Sequence, residues 1–600
     1  MKGPLARTSG IVLLALGVLL LGYAVDRSFW WQWGGGYLAA FLGYVLVLGG
    51  RPLSLWDLVL LAFGLRLALL PAEPLFSDDH YRYLWDGLCS VQGMSPFAHV
   101  PFEALEQGLN APEGLVGLLN SPDRHTTYPP VSQACFAVAA WLGGGDLHGM
   151  TVALRALVLL AEGLSLLALF RLLQVSGQPV GRAALCALNP VVIVELVGNL
   201  HSEAFVVPFL LFTLLAVHRS AWASAGLALG LAMAVKLWPL VLLGVFPAFF
   251  GWRRAFGAAG VAIGVFTVSW LPWYTPDLVP HVLESLRLYA AHFEFFGGLY
   301  EALKVLLPEA WVKGGSVMPL LMVLALSALF LKRAWRTPEE GFLWVVAIYL
   351  GFSSTVHPWY IVPLLALALF TPYRWPYWYA ALAVPTYLTY TVLPWEQPYG
   401  WVGAAYVFLL LVLALELMVH TRAGALFRAR LKTPRLLPLV PAGAPVLDIG
   451  TGNGALARLL QEEGRDMTTV DVIDKSLFPE VHPTVIDGRS LPFEDGHFRC
   501  VLLITVLHHT RSQEQLLREA ARVGEEVVVM EDVYTNRAQL LLTYVFDSLI
   551  NLEFLDHPRT NRDEAGWERC FVELGLRVVR KDVARTLLVF RQVTYNLRSA

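Results

Sequence analysis

Phe76-Ser77-Asp78-Asp79-His80-Tyr81-Arg82-Tyr83-Leu84-Trp85-Asp86-Gly87 closely follows a mostly apolar run, Trp56 to Leu70, long enough to sit in a membrane. Two adjacent carboxylates at the mouth of such a segment are costly unless they serve a purpose. The spacing predicts a helix from Asp78 with Tyr81, Leu84, Trp85 and Leu88 on one face. Asp78, Asp79, Arg82 and Asp86 then fall on the other. A helix of this kind would lie on the bilayer surface and present acid to water. Ser77 suits an N-cap, and acids suit a first helical turn. A cap alone leaves Arg82, Asp86 and the membrane-edge position without a reason, so the stretch reads as a functional site.

The rest of the chain agrees with a membrane setting. Of 600 residues, 56% are hydrophobic and only 15% charged, and the mean hydropathy is +0.56. These values exclude an ordinary soluble enzyme and leave room for a polytopic membrane protein with an added soluble domain. A net charge of -3 gives no electrostatic case for nucleic acid. The five cysteines, Cys89, Cys135, Cys186, Cys500 and Cys570, show neither a CxxC pair nor metal-ligand spacing. Lys2 and Arg7 ahead of Ile11–Val25 look like a signal sequence, but no small-residue cleavage site follows. The segment reads as an uncleaved first span.

Apolar segments recur to about residue 420, from 10–25 through 316–332 and 376–393 to 401–420, and suggest about fourteen crossings. Arg51, Arg171, Arg182, Arg219, Arg253, Arg254, Arg374 and the run from Arg422 to Lys432 would then be cytoplasmic, and the Asp78-Asp79 loop extracytoplasmic. Pro130–Leu142 must be re-entrant or interfacial for that parity. Glu195, Asn199, His201, Glu203, Lys236 and His357-Pro358-Trp359-Tyr360 fall on the same outer face and converge as a candidate site. The run from Ala221 to Gly251 is about 30 residues, roughly 45 Å as one helix, too long for a single crossing. It is expected to fold as a hairpin with Lys236 at the outer turn.

Beyond Leu417 the composition changes. The expected division is a membrane domain over 1–425, a basic linker over 426–445 and a soluble domain over 446–600. Val446-Leu-Asp448-Ile-Gly450-Thr-Gly452-Asn-Gly454 is a strand entering a Gly-rich turn, followed by a helix over Ala455–Glu463. Further strands at Thr468–Ile473, Val501–Val506 and Val527–Met530, with a helix over Gln513–Arg522, predict an α/β Rossmann-like domain with a mostly parallel sheet.

The motifs FSDDHYRYLWDG, Thr126-Thr-Tyr-Pro-Pro130, Asn189-Pro190, Glu195 with His201, Ala234-Val-Lys236-Leu-Trp-Pro239, Phe293-Glu-Phe-Phe-Gly-Gly-Leu-Tyr300 and His357-Pro-Trp-Tyr360 resemble the GT-C superfamily of lipid-phosphate-sugar glycosyltransferases. Within it they look closest to the polyprenol-phosphate-mannose-dependent mannosyltransferases. The likeness covers roughly residues 55–420 and leaves the first two spans outside. It implies a polyprenyl-phosphate-linked sugar donor, with mannose as the sugar, a lipid or glycan acceptor, and a catalytic acid at Asp78 or Asp79. Transfer needs a base for the acceptor hydroxyl, and a carboxylate at a partly desolvated membrane edge suits that work. Some members of the superfamily use a divalent metal at such acids and others do not. Arg82, Glu195, His201, Lys236 and His357 are the expected donor-phosphate and substrate residues.

The segment LDIGTGNGALARLL resembles the class I S-adenosylmethionine-dependent methyltransferases. S-adenosyl-L-methionine is the cofactor this implies, held by Asp448, Gly450, Gly452, Gly454, Asp471 at the ribose and Asp487 near the adenine. Arg499 stands where the family often has Asp. His508 and His509, after the strand Val501–Val506, would lie at the carboxyl edge of the sheet and are the candidate bases. Glu531, Asp532 and Tyr534 are weaker candidates. The whole reads as an integral cell-membrane enzyme with two activities, sugar transfer outside and methylation in the cytoplasm. The rivals are a transporter- or flippase-like membrane domain carrying a methyltransferase, or a membrane half that is only an anchor; neither explains surface acids without repeats.

Overall fold

Proline, glycine and small-residue contacts cut the apolar runs into shorter helices than hydropathy suggests. The computed structural model describes residues 4–600 except 51, 293, 309–310, 313–316, 334, 393, 511, 552–559 and 587–589. Arg51, Phe293 and the expected span ends at Ser316 and Leu393 therefore lie outside the described residues. The chain forms two compact units, Met1–Leu409 and Leu410–Ala600.

In the first unit about fourteen crossings are expected, but fewer helices are long enough. Across the described residues of the chain, four helical stretches are long and apolar enough to cross a membrane: Leu5–Tyr23, Leu147–Val175, Trp238–Trp273 and Tyr399–His420. A fifth candidate is the pair Val180–Ala187 and Pro190–Gly198, bent by 60°. Others, such as Glu203–His218 and Trp222–Val235, are apolar but short. The shortening has local causes. Pro190 opens a new helix after Asn189, whose side chain caps the Val191 N–H. The turn that follows, Ile193–Gly198, widens to a π-helix, a form that often marks functional positions.

Around Lys236, where a hairpin of two short helices is expected, the first helix is present and a 3₁₀ segment takes the place of the second. The helix Trp222–Val235 ends at Lys236 in extended conformation, and a 3₁₀ segment, Trp238–Val245, leads away. Gly251 then breaks the following helix at φ 70, ψ 160, a conformation only glycine adopts without strain. Beyond it the chain turns back alongside its first arm. A Cβ on Gly226 would lie 2.3 Å from the Ala258 carbonyl, and one on Gly230 would lie 2.6 Å from that of Ala262. Small residues thus let these two helices touch backbone to backbone, the usual route to close packing in membranes.

The second unit is a seven-stranded sheet: β1 Pro445–Ile449, β2 Asp466–Asp471, β3 Thr484–Val485, β4 Phe498–Ile504, β5 Gly524–Val533, β6 Leu576–Thr586 and β7 Phe590–Ser599. Their order is β3-β2-β1-β4-β5-β7-β6. Strands β1 to β5 pair in parallel, and β7 runs antiparallel between β5 and β6. β1, β4 and β5 read VLDI, VLLI and VVVM at their centres, the nearly continuous apolar runs of strands buried on both faces. The expected fold class, a helical membrane domain followed by a Rossmann-like α/β domain, is the one observed. The antiparallel β6–β7 pair was not anticipated. Where a basic linker is expected, Arg422–Leu436 is a helix, capped by Thr421 and packed through Ala425 and Ala429 onto Ala455, Ala457 and Phe478.

Candidate functional site

The acidic stretch is a helix, Asp79–Val91, with Asp78 and Asp79 partly exposed at its start. Beyond that first turn its polar face, Arg82 and Asp86, is buried rather than turned to water. Asp86 is fully buried and accepts from Arg82 Nε at 2.8 Å, from Gln133 Nε2 at 2.9 Å and from the Thr126 hydroxyl. Arg82 also donates to the carbonyls of Ser121 and Arg124. Arg82, expected at a donor phosphate, is instead turned inward onto Asp86 and the Ser121–Arg124 loop. Gly87 is needed because a Cβ there would sit 2.3 Å from the Phe136 carbonyl, and Tyr83 stacks on Phe136 with centroids 4.6 Å apart. Arg82, Asp86, Gly87 and Thr126 thus hold the loop and helix together. Ser77, the expected cap, gives way to Asp78 at the N-cap position, though its hydroxyl accepts from the Asp79 N–H at 3.3 Å.

The structure separates the two adjacent acids. Asp78 is paired with Arg27 at 2.8 Å. Asp79 accepts a neutral hydrogen bond from Asn120 Nδ2 at 3.0 Å, and Lys236 and Glu203 lie close enough to act on its charge. Burial pushes the Asp79 carboxyl up to about 6, against the Lys236 ammonium and the Asn120 amide, which favour the charged form. A carboxylate with that ordinary-to-neutral range and no ion pair is suited to proton transfer near neutral pH.

Around it lies a set of buried polar atoms without hydrogen-bond partners: His80 Nε2, both ring nitrogens of His201, Ser202 Oγ, Glu203 Oε2 and His357 Nδ1. Lys236, His357 and His80 all lie near enough to His201 to interact electrostatically. Trp359 stacks on His201 (centroids 3.5 Å) and on His357 (4.3 Å). Lys236 pairs with Glu203 and stands 4.7 Å over the Tyr360 ring. Buried polar groups are almost always satisfied, and so many together mark a place where another polar molecule belongs. His201, Lys236 and His357 are thereby brought together. Glu195 borders them, its Oε2 3.7 Å from His201 Nε2; fully buried, it accepts from Tyr37 and Tyr387, each at 2.8 Å, and from Asn199 at 3.2 Å. Asn199 in turn accepts the Phe76 N–H, so Glu195 anchors the segment that leads into Asp78 and Asp79.

Sequence reading did not assign Arg27, Tyr37, Asn120 or His80 to the site, and quoted Glu203 without a role. Glu203 had a usable signal, since an acid beside a membrane-edge lysine invites pairing. Arg27 and Asn120 had none. Among the described residues no three His, Cys, Asp or Glu side chains gather as a metal site would require.

In the second unit the crevice lies at the carboxyl ends of β1 and β4, where the strand order reverses. Gly450 has φ 74 and faces Val506, so a Cβ there would approach that side chain to 2.6 Å. Gly452, at φ 60, would bring a Cβ no nearer than 3.9 Å to the Gly450 carbonyl, which leaves its backbone free to approach a ligand. Gly454 precedes the helix Ala455–Glu462. Asp471 ends β2, accepting from the Gly452 N–H at 2.8 Å and the Val472 N–H at 2.7 Å. Asp448 is buried with Oδ2 unpaired, and burial pushes it up to about 7. This is a fitting cradle for a ribose, an adenine edge and an ammonium group. Asp487 is less committed to a ligand: one oxygen closes a turn on Arg489 and Ser490, and those N–H groups hold its carboxyl below the usual range. His508 is buried with Nδ1 2.5 Å from Glu531 Oε2. Glu531, fully buried, also accepts from the N–H groups of Val506 and Leu507. His509 is half-buried beside it, with ring centroids 4.2 Å apart.

Comparison with known proteins follows this division. Residues 3–252 match the family model for the alpha-(1->6)-mannopyranosyltransferase N-terminal domain, and residues 447–526 that for a methyltransferase domain. The first match begins at residue 3, so the first two helices belong to the likeness, contrary to the expectation that they lie outside it. The chain is 29% identical over 292 residues to alpha-(1->6)-mannopyranosyltransferase B of Corynebacterium glutamicum, covering 44% of this chain and 45% of that protein. It is 31% identical over 130 residues to demethylmenaquinone methyltransferase of Tropheryma whipplei, covering 19% of this chain and 54% of that one. The chain thus spans about half the length of the curated relatives it matches. Among solved structures, the PH0226 protein of Pyrococcus horikoshii is similar over 30% of this chain and 93% of its own, at 17% identity and a TM-score of 0.25. Magnesium protoporphyrin IX methyltransferase of Synechocystis is similar over 30% and 85%, at 17% identity and 0.24. The chain is thus similar to the alpha-(1->6)-mannopyranosyltransferase N-terminal domain over residues 3–252 and to a methyltransferase domain over residues 447–526.

Proposed function

We propose that the protein is a two-headed membrane enzyme: the first unit transfers mannose from a polyprenyl-phosphate donor to a lipid or glycan hydroxyl, and the second methylates a separate acceptor with S-adenosylmethionine. The observation that carries the first half is the contrast between Asp78, neutralised by Arg27, and Asp79, unpaired by any cation and raised toward neutrality by burial. Asp79 takes the proton of the acceptor hydroxyl as that oxygen bonds to the anomeric carbon. The bond from that carbon to the phosphate oxygen breaks, and its electron pair leaves with the lipid phosphate. Lys236 exchanges Glu203 for this phosphate and stabilises the growing charge. His80, His201, Ser202 and His357 supply the unpaired groups that a sugar's hydroxyls would satisfy.

When bound, the cofactor supplies an electrophilic methyl group on a sulfonium. Asp471 and the backbone at Gly450 and Gly452 hold and orient it, and Asp448 faces its ammonium. Glu531 fixes the His508 ring through Nδ1, and the His508-His509 turn receives the acceptor's proton. The sugar-transfer site is extracytoplasmic and the methyltransferase cytoplasmic, in keeping with the basic segments that follow Leu417.

The test is incubation of the purified full chain with a panel of polyprenyl-phosphate sugars and with labelled S-adenosylmethionine. Mannose on a lipid or glycan acceptor and label in a second product are expected. Absence of sugar transfer from every polyprenyl-phosphate donor would sink the first half, and failure to bind S-adenosylmethionine the second.

A further inference from the structure

The helix Arg422–Leu436 was expected to be a linker, yet it carries two cations toward the methyltransferase crevice. Ala425 and Ala429 fix it against the Gly-turn helix, and Leu436 and Val440 enter the core beside Val446 and Leu502. From that frame Lys432 Nζ donates to the Thr505 hydroxyl at 3.0 Å. Thr505 is the residue after β4 and sits at φ 56, held by its N–H to the Met530 carbonyl at 2.7 Å. A non-glycine residue in the left-handed region at the end of a central strand is a local strain that the surroundings must maintain. Asp532, Glu531 and Arg428 all act on the Lys432 charge, and Lys432 acts on Asp448. Arg428 lies one turn back, at i−4, and its Nε is buried without a hydrogen-bond partner. An orphaned donor on a permanently charged group is costly, and an anionic oxygen satisfies it best.

We propose that Arg428 and Lys432 bind an anionic oxygen group of the phosphate class carried by the methyl acceptor, at the carboxyl edge of β4. The proposal rests on the methyltransferase reading of this unit. Two sources share the chemistry, a lipid headgroup and a soluble phosphate. The chain favours the headgroup. Only Thr421 separates this helix from the apolar helix ending at His420, and the corner is tight: Thr421 caps Gly424, whose Cβ would lie 2.4 Å from the Met418 Cα. Arg428 is thus about 9 Å along the helix from its start beside an apolar span. On the adjoining face Phe427 and Leu431 are 57% and 61% exposed. Basic residues with exposed apolar neighbours next to a span are the pattern of an anionic-lipid contact.

The test is calorimetry on the full chain in dodecyl maltoside, saturated with S-adenosylhomocysteine, titrated with phosphatidylglycerol mixed micelles or with inorganic phosphate. Phosphatidylglycerol is expected to bind, and Arg428→Gln and Lys432→Met to weaken it at least ~10-fold, with Arg428→Lys restoring most of it. The same variants should keep S-adenosylhomocysteine affinity within about twofold, which also shows that they fold. Equal binding of inorganic phosphate would support the site with a soluble acceptor. Binding of neither probe overturns the proposal while leaving the methyltransferase reading intact. A large loss of S-adenosylhomocysteine affinity in both variants also overturns it, because the cations would then serve the cofactor's own carboxylate. A wild-type chain that binds no S-adenosylhomocysteine would instead remove the reading beneath it.

Discussion

The two candidate sites are assembled in opposite ways. In the second unit the glycines, Asp448, Asp471 and the His508-His509 turn all stand at one edge of a sheet, and most of their polar atoms are met by nearby backbone. In the first unit Arg27, Asp79, Asn120, His201, Lys236 and His357 come from segments spread over more than half the unit, and several polar atoms there are buried without partners. A site built on a local turn is stable without its ligand. One gathered from many helices leaves polar groups unsatisfied, and a polar ligand completes them. Substitutions should therefore act locally in the second unit and through pairs of distant residues in the first.

The largest effect should come from breaking the compact site. Gly450→Val places a branched side chain at φ 74 against Val506, and Asp471→Ala unties Gly452 as well as removing the ribose contact. Both are expected to abolish S-adenosylmethionine binding by calorimetry while sugar transfer continues; retained binding would refute the cradle. Next in size is Lys236→Met, expected to raise the donor KM and lower kcat by roughly 10-fold each. Unchanged donor kinetics would mean that Lys236 serves only Glu203 and Tyr360.

The pH dependence should sharpen the contrast between the acids. Because burial raises Asp79 to about 6, it is protonated and inactive below that value and a base above it. Sugar transfer should fall as pH drops through about 6, while a rate flat to about pH 4 would point to an unperturbed carboxylate. Smaller still, Arg27→Gln should lower sugar transfer only severalfold, since it removes the partner of Asp78 and not the base. Finally, Gln107→Cys should react with an impermeant thiol reagent from outside the cell and Glu463→Cys should not. The reverse labelling would invert the assignment of faces.

These differences also explain what could be read from the sequence. The Gly-rich turn was legible because its function depends on consecutive residues whose backbone conformation admits few alternatives. The break at Lys236 was legible because the apolar run is too long for one crossing. The helix boundaries were not: π and 3₁₀ segments at Ile193–Gly198 and Trp238–Val245 interrupt regular α-helix where hydropathy shows one apolar run. The burial of Arg82 and Asp86 was not legible because amphipathic spacing says which residues share a face, not what covers that face. Here the polar face is covered by Thr126, Gln133 and the Ser121–Arg124 carbonyls. Arg428 and Lys432 were hidden by composition, since a basic, proline-containing stretch reads as a linker until its alanines are seen to pack.

The most direct test compares Asp79→Asn with Asp78→Asn in one preparation, assayed for both transfers. Asn keeps size and polarity and removes the base. Asp79→Asn is expected to lower sugar transfer by about two or more orders of magnitude with methylation intact, and Asp78→Asn to lower it far less. Normal sugar transfer by Asp79→Asn, with the loss falling on Asp78→Asn, would contradict the account.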